Sequence, residues 1–96
     1  MGTWTTSVAT ITEREFWGKA AMLTYEIGGL DTNTGGTLTT PFKKIYGWSC
    51  NANTAAGMVG GLATLQSRVE GRTIVVSYTD PGEAHTIRIT IWGIQA

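Results

Sequence analysis

Thr73-Ile74-Val75-Val76-Ser77-Tyr78 and His85-Thr86-Ile87-Arg88-Ile89-Thr90-Ile91-Trp92-Gly93-Ile94 flank the turn signal Asp80-Pro81-Gly82-Glu83. Both flanks alternate apolar and polar residues with the period of a strand. Closing a hairpin over the turn, with a two- or four-residue loop, sets Tyr78 against His85, Val76 against Ile87 and Ile74 against Ile89. Opposed residues share a side of a sheet, so these six form one buried face. Thr73, Val75 and Ser77 against Thr90, Arg88 and Thr86 form a mostly polar one. A three-residue loop breaks the match, so the pattern selects its own register.

Upstream, Glu70-Gly71 is a weaker turn signal. Closing it sets Leu65 opposite Val76 and Val69 opposite Arg72, with Thr64, Gln66 and Arg68 on the polar side. The expected unit is a C-terminal three-stranded meander from Leu62 to Ile94. Leu62, Leu65 and Val69 also fit helical spacing, but two hairpins agreeing on one buried face favour the strand.

Earlier segments read as sheet too. Thr3 to Phe16 alternates as one long strand rich in threonine and valine. Trp17-Gly18 breaks it, and Lys19 to Ile27 follows with Leu23, Tyr25 and Ile27 on one face, giving an N-terminal hairpin. Gly28 to Thr40 reads as a glycine-rich loop in which Gly35-Gly36 supplies the backbone freedom of a turn. Pro41 precedes a strand from Phe42 to Cys50, with Phe42, Tyr46 and Trp48 on one face. Asn51 to Gly61 has the composition of a surface loop, or of an arm ordered against a partner. The expected fold class is all-β: one domain over residues 1–96 with about six strands, a small antiparallel β-sandwich or barrel.

Composition narrows function mainly by exclusion. A chain of 96 residues buries only about two-thirds of its unfolded surface. One cysteine, Cys50, forms no internal disulfide, and one histidine, His85, does not suit a zinc site of the usual kind. Oligomerisation, or docking on a larger assembly, is the expected remaining support. Seven basic and seven acidic residues balance, with Lys43-Lys44 the only basic doublet, so no nucleic-acid partner is expected. No apolar run approaches a membrane span, and the first residues lack the pattern of a signal peptide. Met1-Gly2 followed by Thr6 matches a myristoylation pattern in form, which we read as chance because Trp4 lies within it and basic support is missing.

Catalytic groupings are scarce. Cys50 and His85 would act together only if the fold brought them together. Glu13 and Glu15 share one strand face, and Asp80 and Glu83 share a turn, so neither pair straddles a cleft as glycoside hydrolysis requires. Gly35-Gly36 and Gly60-Gly61 lack the lysine of a phosphate loop. We expect no enzyme, no catalytic residue, no metal and no cofactor. The surplus is aromatic: Trp4, Trp17, Trp48 and Trp92. Tryptophan can fill a core, anchor a protein interface or stack on a sugar ring.

In order along the chain, Trp4-Thr5 opens a threonine-rich strand and Arg14-Glu15-Phe16-Trp17-Gly18-Lys19 leads into a second. Thr34-Gly35-Gly36-Thr37-Leu38-Thr39 precedes a further strand, and Ile91-Trp92-Gly93-Ile94 closes the chain. This order resembles a group of small β-rich bacteriophage virion proteins; Tyr46 to Gly61 departs from that pattern. The resemblance implies a non-enzymatic virion part, a capsid cement or decoration protein bridging neighbouring subunits, assembled in the host cytoplasm. Its implied partners are the major capsid protein or another virion protein, and further copies of itself, a trimer among them. A tail or neck component, or a carbohydrate-binding module using exposed tryptophans, are the alternatives. The expected contact residues are Trp4, Thr34, Gly35, Gly36, Met58, Val59, Val75, Trp92 and Ile94.

Overall fold

The computed structural model describes residues 2–30, 33–54, 65–78 and 84–95. Its strands are β1 (Gly2–Trp4), β2 (Ala9–Trp17), β3 (Ala20–Leu30), β4 (Asn33–Thr39), β5 (Phe42–Thr54), β6 (Gln66–Glu70), β7 (Thr73–Ser77) and β8 (His85–Gln95). They form two four-stranded sheets, ordered β1-β4-β7-β6 and β2-β3-β8-β5. All pairings are antiparallel except the parallel pair of β1 with β4. Of the expected all-β sandwich or barrel, the sandwich is the form observed, with eight strands among the described residues in place of about six.

The C-terminal meander is corrected. β7 pairs with β4 and β6, whereas β8 pairs with β3 and β5, so the two flanks of the 80–83 turn lie in different sheets. Their apolar faces meet across the sandwich instead of side by side. Ile74, Val76, Tyr78, His85, Ile87 and Ile89 are all buried, as expected from alternation, but in a core shared by two layers. The link Asp80-Pro81-Gly82-Glu83 and Thr64 lie outside the described residues. Tyr78 and His85 do touch: the hydroxyl lies 2.7 Å from Nε2, and the rings meet edge-on with centroids 5.2 Å apart.

The β6–β7 hairpin forms with Glu70 opposite Thr73 and Val69 opposite Ile74, one residue along the turn from the expected closure. Gly71 has φ +63 and Arg72 a negative φ. A glycine at the first central position is the requirement of a type II′ turn, and this fixes the loop as Gly71-Arg72. The shift moves the register by two, so the faces survive: Leu65 and Val69 stay on the side of Val76. The strand reading of Gln66–Glu70 is the one observed. The N-terminal hairpin forms as expected, Trp17 opposite Ala20 around Gly18, with Leu23, Tyr25 and Ile27 buried.

Two further segments differ. The expected strand from Thr3 to Phe16 is split by a 3-10 turn at Thr6–Val8, which carries the chain from the first sheet to the second. The turn is pinned by Val8 N–H donating to the Thr5 carbonyl at 3.2 Å and by Thr39 N–H donating to Thr6 Oγ1 at 2.7 Å. In the expected loop from Gly28 to Thr40, the described residues up to Leu30 are the end of β3 and Asn33–Thr39 are β4. Gly35 and Gly36 serve close approach, not a turn: a Cβ on Gly36 would lie 2.1 Å from Trp4 Cδ2, and one on Gly35 2.3 Å from the Val76 carbonyl oxygen. Trp4 thus lies in the core on a floor of bare backbone.

Strand β5 carries two irregularities, between Phe42 and Lys44 and between Ile45 and Gly47. Each bulge flips the alternation, so Phe42, Ile45, Trp48, Cys50 and Ala52 all join or border the core. Tyr46, expected beside Phe42 and Trp48, is exposed at the second bulge. The Trp48 indole donates to Ser67 Oγ at 2.9 Å, tying the edge of one sheet to the edge of the other.

Candidate functional site

The two sheets differ in length. Strands β2, β3, β5 and β8 run 9, 11, 13 and 11 residues, against 3, 7, 5 and 5 for β1, β4, β6 and β7. The longer sheet therefore continues past the smaller one at the β2–β3 hairpin end. On its inner side there, an apolar groove of about 300 Å³ is lined by Ile11, Phe16, Ala21, Leu23 and Phe42. Arg14, Gln95 and Pro41 complete the rim, and no lining residue belongs to the smaller sheet. Phe16 is 56% exposed although it shares a face with buried Ala21. Behind the groove, burial pushes the Tyr25 hydroxyl pKa up, and the Arg14 charge partly pulls it back down.

The outer side of the same end is also apolar. Register places Trp17, Ala20, Ile94 and Lys44 in one row across the sheet, and Glu15, Met22, Trp92 and Gly47 in the next. Trp17 is 57% and Trp92 41% exposed. Trp92 lies close over Gly47, where a Cβ would come within 2.4 Å of its Cζ2. Lys44 Nζ sits 5.6 Å from the Tyr46 ring centroid, the distance of a cation–π contact. Farther along, the face is polar and internally paired: Thr24 and Thr90 hydroxyls are 3.1 Å apart, and Arg88 Nη2 donates to Glu26 Oε2 at 2.8 Å.

Of the expected contact residues, Trp92 and Ile94 belong to this end of the long sheet. Trp4, at 3% exposure, is a core residue, and Gly35 and Gly36 are buried with it. Thr34 and Val75 are partly exposed on the smaller sheet, away from that end. Met58 and Val59 lie outside the described residues. Phe16, Trp17 and Tyr46 escaped sequence reading as contacts. Phe16-Trp17 directly before a glycine turn was the signal, since adjacent strand residues take opposite faces and two adjacent aromatics cannot share one core.

Cys50 and His85 stay apart. Cys50 pairs with Ile89, four residues along β8 from His85, or about 13 Å at the rise of a strand. Burial pushes the Cys50 thiol up to about 11, so it is protonated at neutral pH and a poor nucleophile. Glu13 and Glu15 point from the outer face of β2, opposite Thr24 and Met22. Among the described residues, no three His, Cys, Asp or Glu side chains gather as a metal site would need. Comparison with family models, with curated proteins and with solved structures gives no significant match.

Proposed function

We propose that the chain is a non-enzymatic structural protein of the virion cement or decoration type, holding neighbouring shell subunits together. One observation carries this reading: the overhanging end of the long sheet is apolar on both sides, with Phe16, Trp17 and Trp92 all at least two-fifths exposed. Clustered exposed aromatics mark surfaces that gain by being covered. Beside them, β2 is a sheet edge whose residues Glu13 to Trp17 are exposed, and an assembly would cover it. A small domain bound only in its folded state is stabilised by its partner, and the shell is reinforced by the same contacts. The overhang acts as a wedge: Phe16 and the groove meet a neighbouring virion protein, here the major capsid protein, while the core holds the wedge rigid.

Virions lacking the chain provide the test. Such particles are expected to lose heat resistance and to regain it when the purified chain is added back, but not with a Phe16→Ser variant of normal fold. Particles equally heat-resistant with and without the chain, or failing to bind it, would sink the proposal. A second reading rests on Trp92, whose indole lies over the bare backbone of Gly47 as a platform suited to stacking on a sugar ring. A shift of tryptophan fluorescence on titration with a defined oligosaccharide, lost in Trp92→Ser, would favour it.

A further inference from the structure

The outer face of the long sheet presents four strands ~4.8 Å apart over about eleven residues of ~3.3 Å each, a table roughly 19 by 36 Å. That is the scale of a standard interface, near ~800 Å² on each partner. Its polar middle is paired at the centre, Thr24 with Thr90 and Arg88 with Glu26, with Ser49 and Asn51 exposed at the β5 margin. Covering the Arg88–Glu26 pair strands no lone charge. What is left is an apolar strip, Met22, Trp92 and Ile94, with charge on its two flanks. Glu13 and Glu15 stand on β2 at one side of the table, Lys44 on β5 at the other. None of these three makes an ion pair with another described residue.

We propose that this face packs against the same face of a second copy of the chain, about a two-fold axis running parallel to the strands between β3 and β8. The proposal deepens the assembly reading by naming one of its partners. A two-fold in that direction reverses the lateral order, so β2 of one copy lies over β5 of the other. Trp17 then faces the partner copy's Lys44 on both flanks with Glu15 one row along from that lysine, Met22 meets the partner copy's Trp92, and Ala20 meets its Ile94. The strands of the two sheets stay near alignment, the usual arrangement of face-packed sheets. An axis across the strands instead lays β2 over β2 and sets glutamate against glutamate. Extending the sheet edge to edge through β2 opposes like charges when centred on Glu13, Arg14 or Glu15, and when centred on Phe16 it leaves the outer apolar strip uncovered. Charge therefore selects one pairing among the face-to-face ones, and burial of the strip favours those over the edge.

Sedimentation equilibrium of the purified chain between 1 and about 100 µM tests it without any other virion component, so its outcome is independent of shell binding. A dimer is expected. Glu15→Lys and Lys44→Glu should each weaken it by about tenfold or more, and the double charge swap should restore most of the loss. Both positions are exposed, so the variants should keep the wild-type fold by circular dichroism and its melting curve at dilutions where the chain is monomeric; Trp92→Ser should abolish the dimer. A wild-type chain that stays monomeric over this range, or forms a trimer, overturns the proposal, as does a double swap no tighter than the single variants. A monomer whose Trp92 fluorescence responds to an oligosaccharide would overturn it too, and would give the face to a sugar.

Discussion

Cys50 is the residue whose chemistry its surroundings change most. It sits on the inner side of β5 against the core, and burial alone raises its thiol from 9.0 to about 11. In the unfolded chain the thiol ionises first as pH rises; in the folded chain it stays protonated. Between pH 9 and 11 the folded state binds more protons, so stability falls with rising pH in that window and is unaffected below it. Two units correspond to on the order of 3 kcal/mol. Tyr25, also pushed up by burial, acts in the same direction. Urea unfolding at pH 8 and at pH 10.5 should show the wild type losing clearly more stability than Cys50→Ala, which retains only the Tyr25 part. Equal losses would mean that burial does not govern the thiol. Residue identity was a fair guide here, since a lone cysteine is most often a small buried apolar group. It was a poor one at Gly35-Gly36, where two letters that permit a turn also permit an indole to lie on the backbone.

At the scale of the element, the close approach of β5 and β8 depends on glycine at two points of different tolerance. A Cβ at Gly93 would lie 2.0 Å from the Lys44 carbonyl oxygen and 3.0 Å from Ile45 Cα, both backbone atoms held by the bulged strand. A Cβ at Gly47 would instead meet the Trp92 ring, a side chain that can swing outward. Gly93→Ala should therefore cost about 3 kcal/mol or more, as overpacking against a fixed neighbour does. Gly47→Ala should cost about 1 kcal/mol or less and redshift Trp92 emission as the indole moves into water. Similar unfolding midpoints for the two variants would contradict the bulge geometry. The bulges also explain why β5 was only half legible. Phe42 and Trp48 both face inward, as strict alternation required, but through Ile45, by two extra residues that alternation cannot anticipate. The inner residues of β7 and β8 were legible and their partner strands were not. Ile74 and Val76 must share a core with Ile87 and Ile89 whether the strands lie side by side or in facing layers, and alternation is the same in both. The choice rests on which neighbours, β4 and β3, compete for the strand edges. That competition is between segments distant in sequence, so no local pattern carries it.

For the whole molecule, unequal sheet lengths divide the chain into a doubly covered body and a single-layer end. β8 is flanked on both edges, by β3 and β5, and its residues Ile87, Ile89 and Ile91 have no exposed surface. Its amides can exchange with solvent only when the sandwich opens, so they should show protection near the global unfolding free energy. The end of β2 is bounded by solvent on its outer edge, and Glu13 to Trp17 are exposed. Every second amide there points away from β3 and should exchange faster by orders of magnitude. Hydrogen exchange on dilute protein, read by residue, gives the comparison directly. Uniform protection along β2 and β8 would mean that the overhang is covered by the chain itself, removing the free surface on which the assembly reading rests. Slow exchange in β8 beside fast exchange at Glu13–Trp17, with the latter slowing when a partner protein covers that edge, is the signature of a rigid body presenting one unfinished sheet to its neighbour.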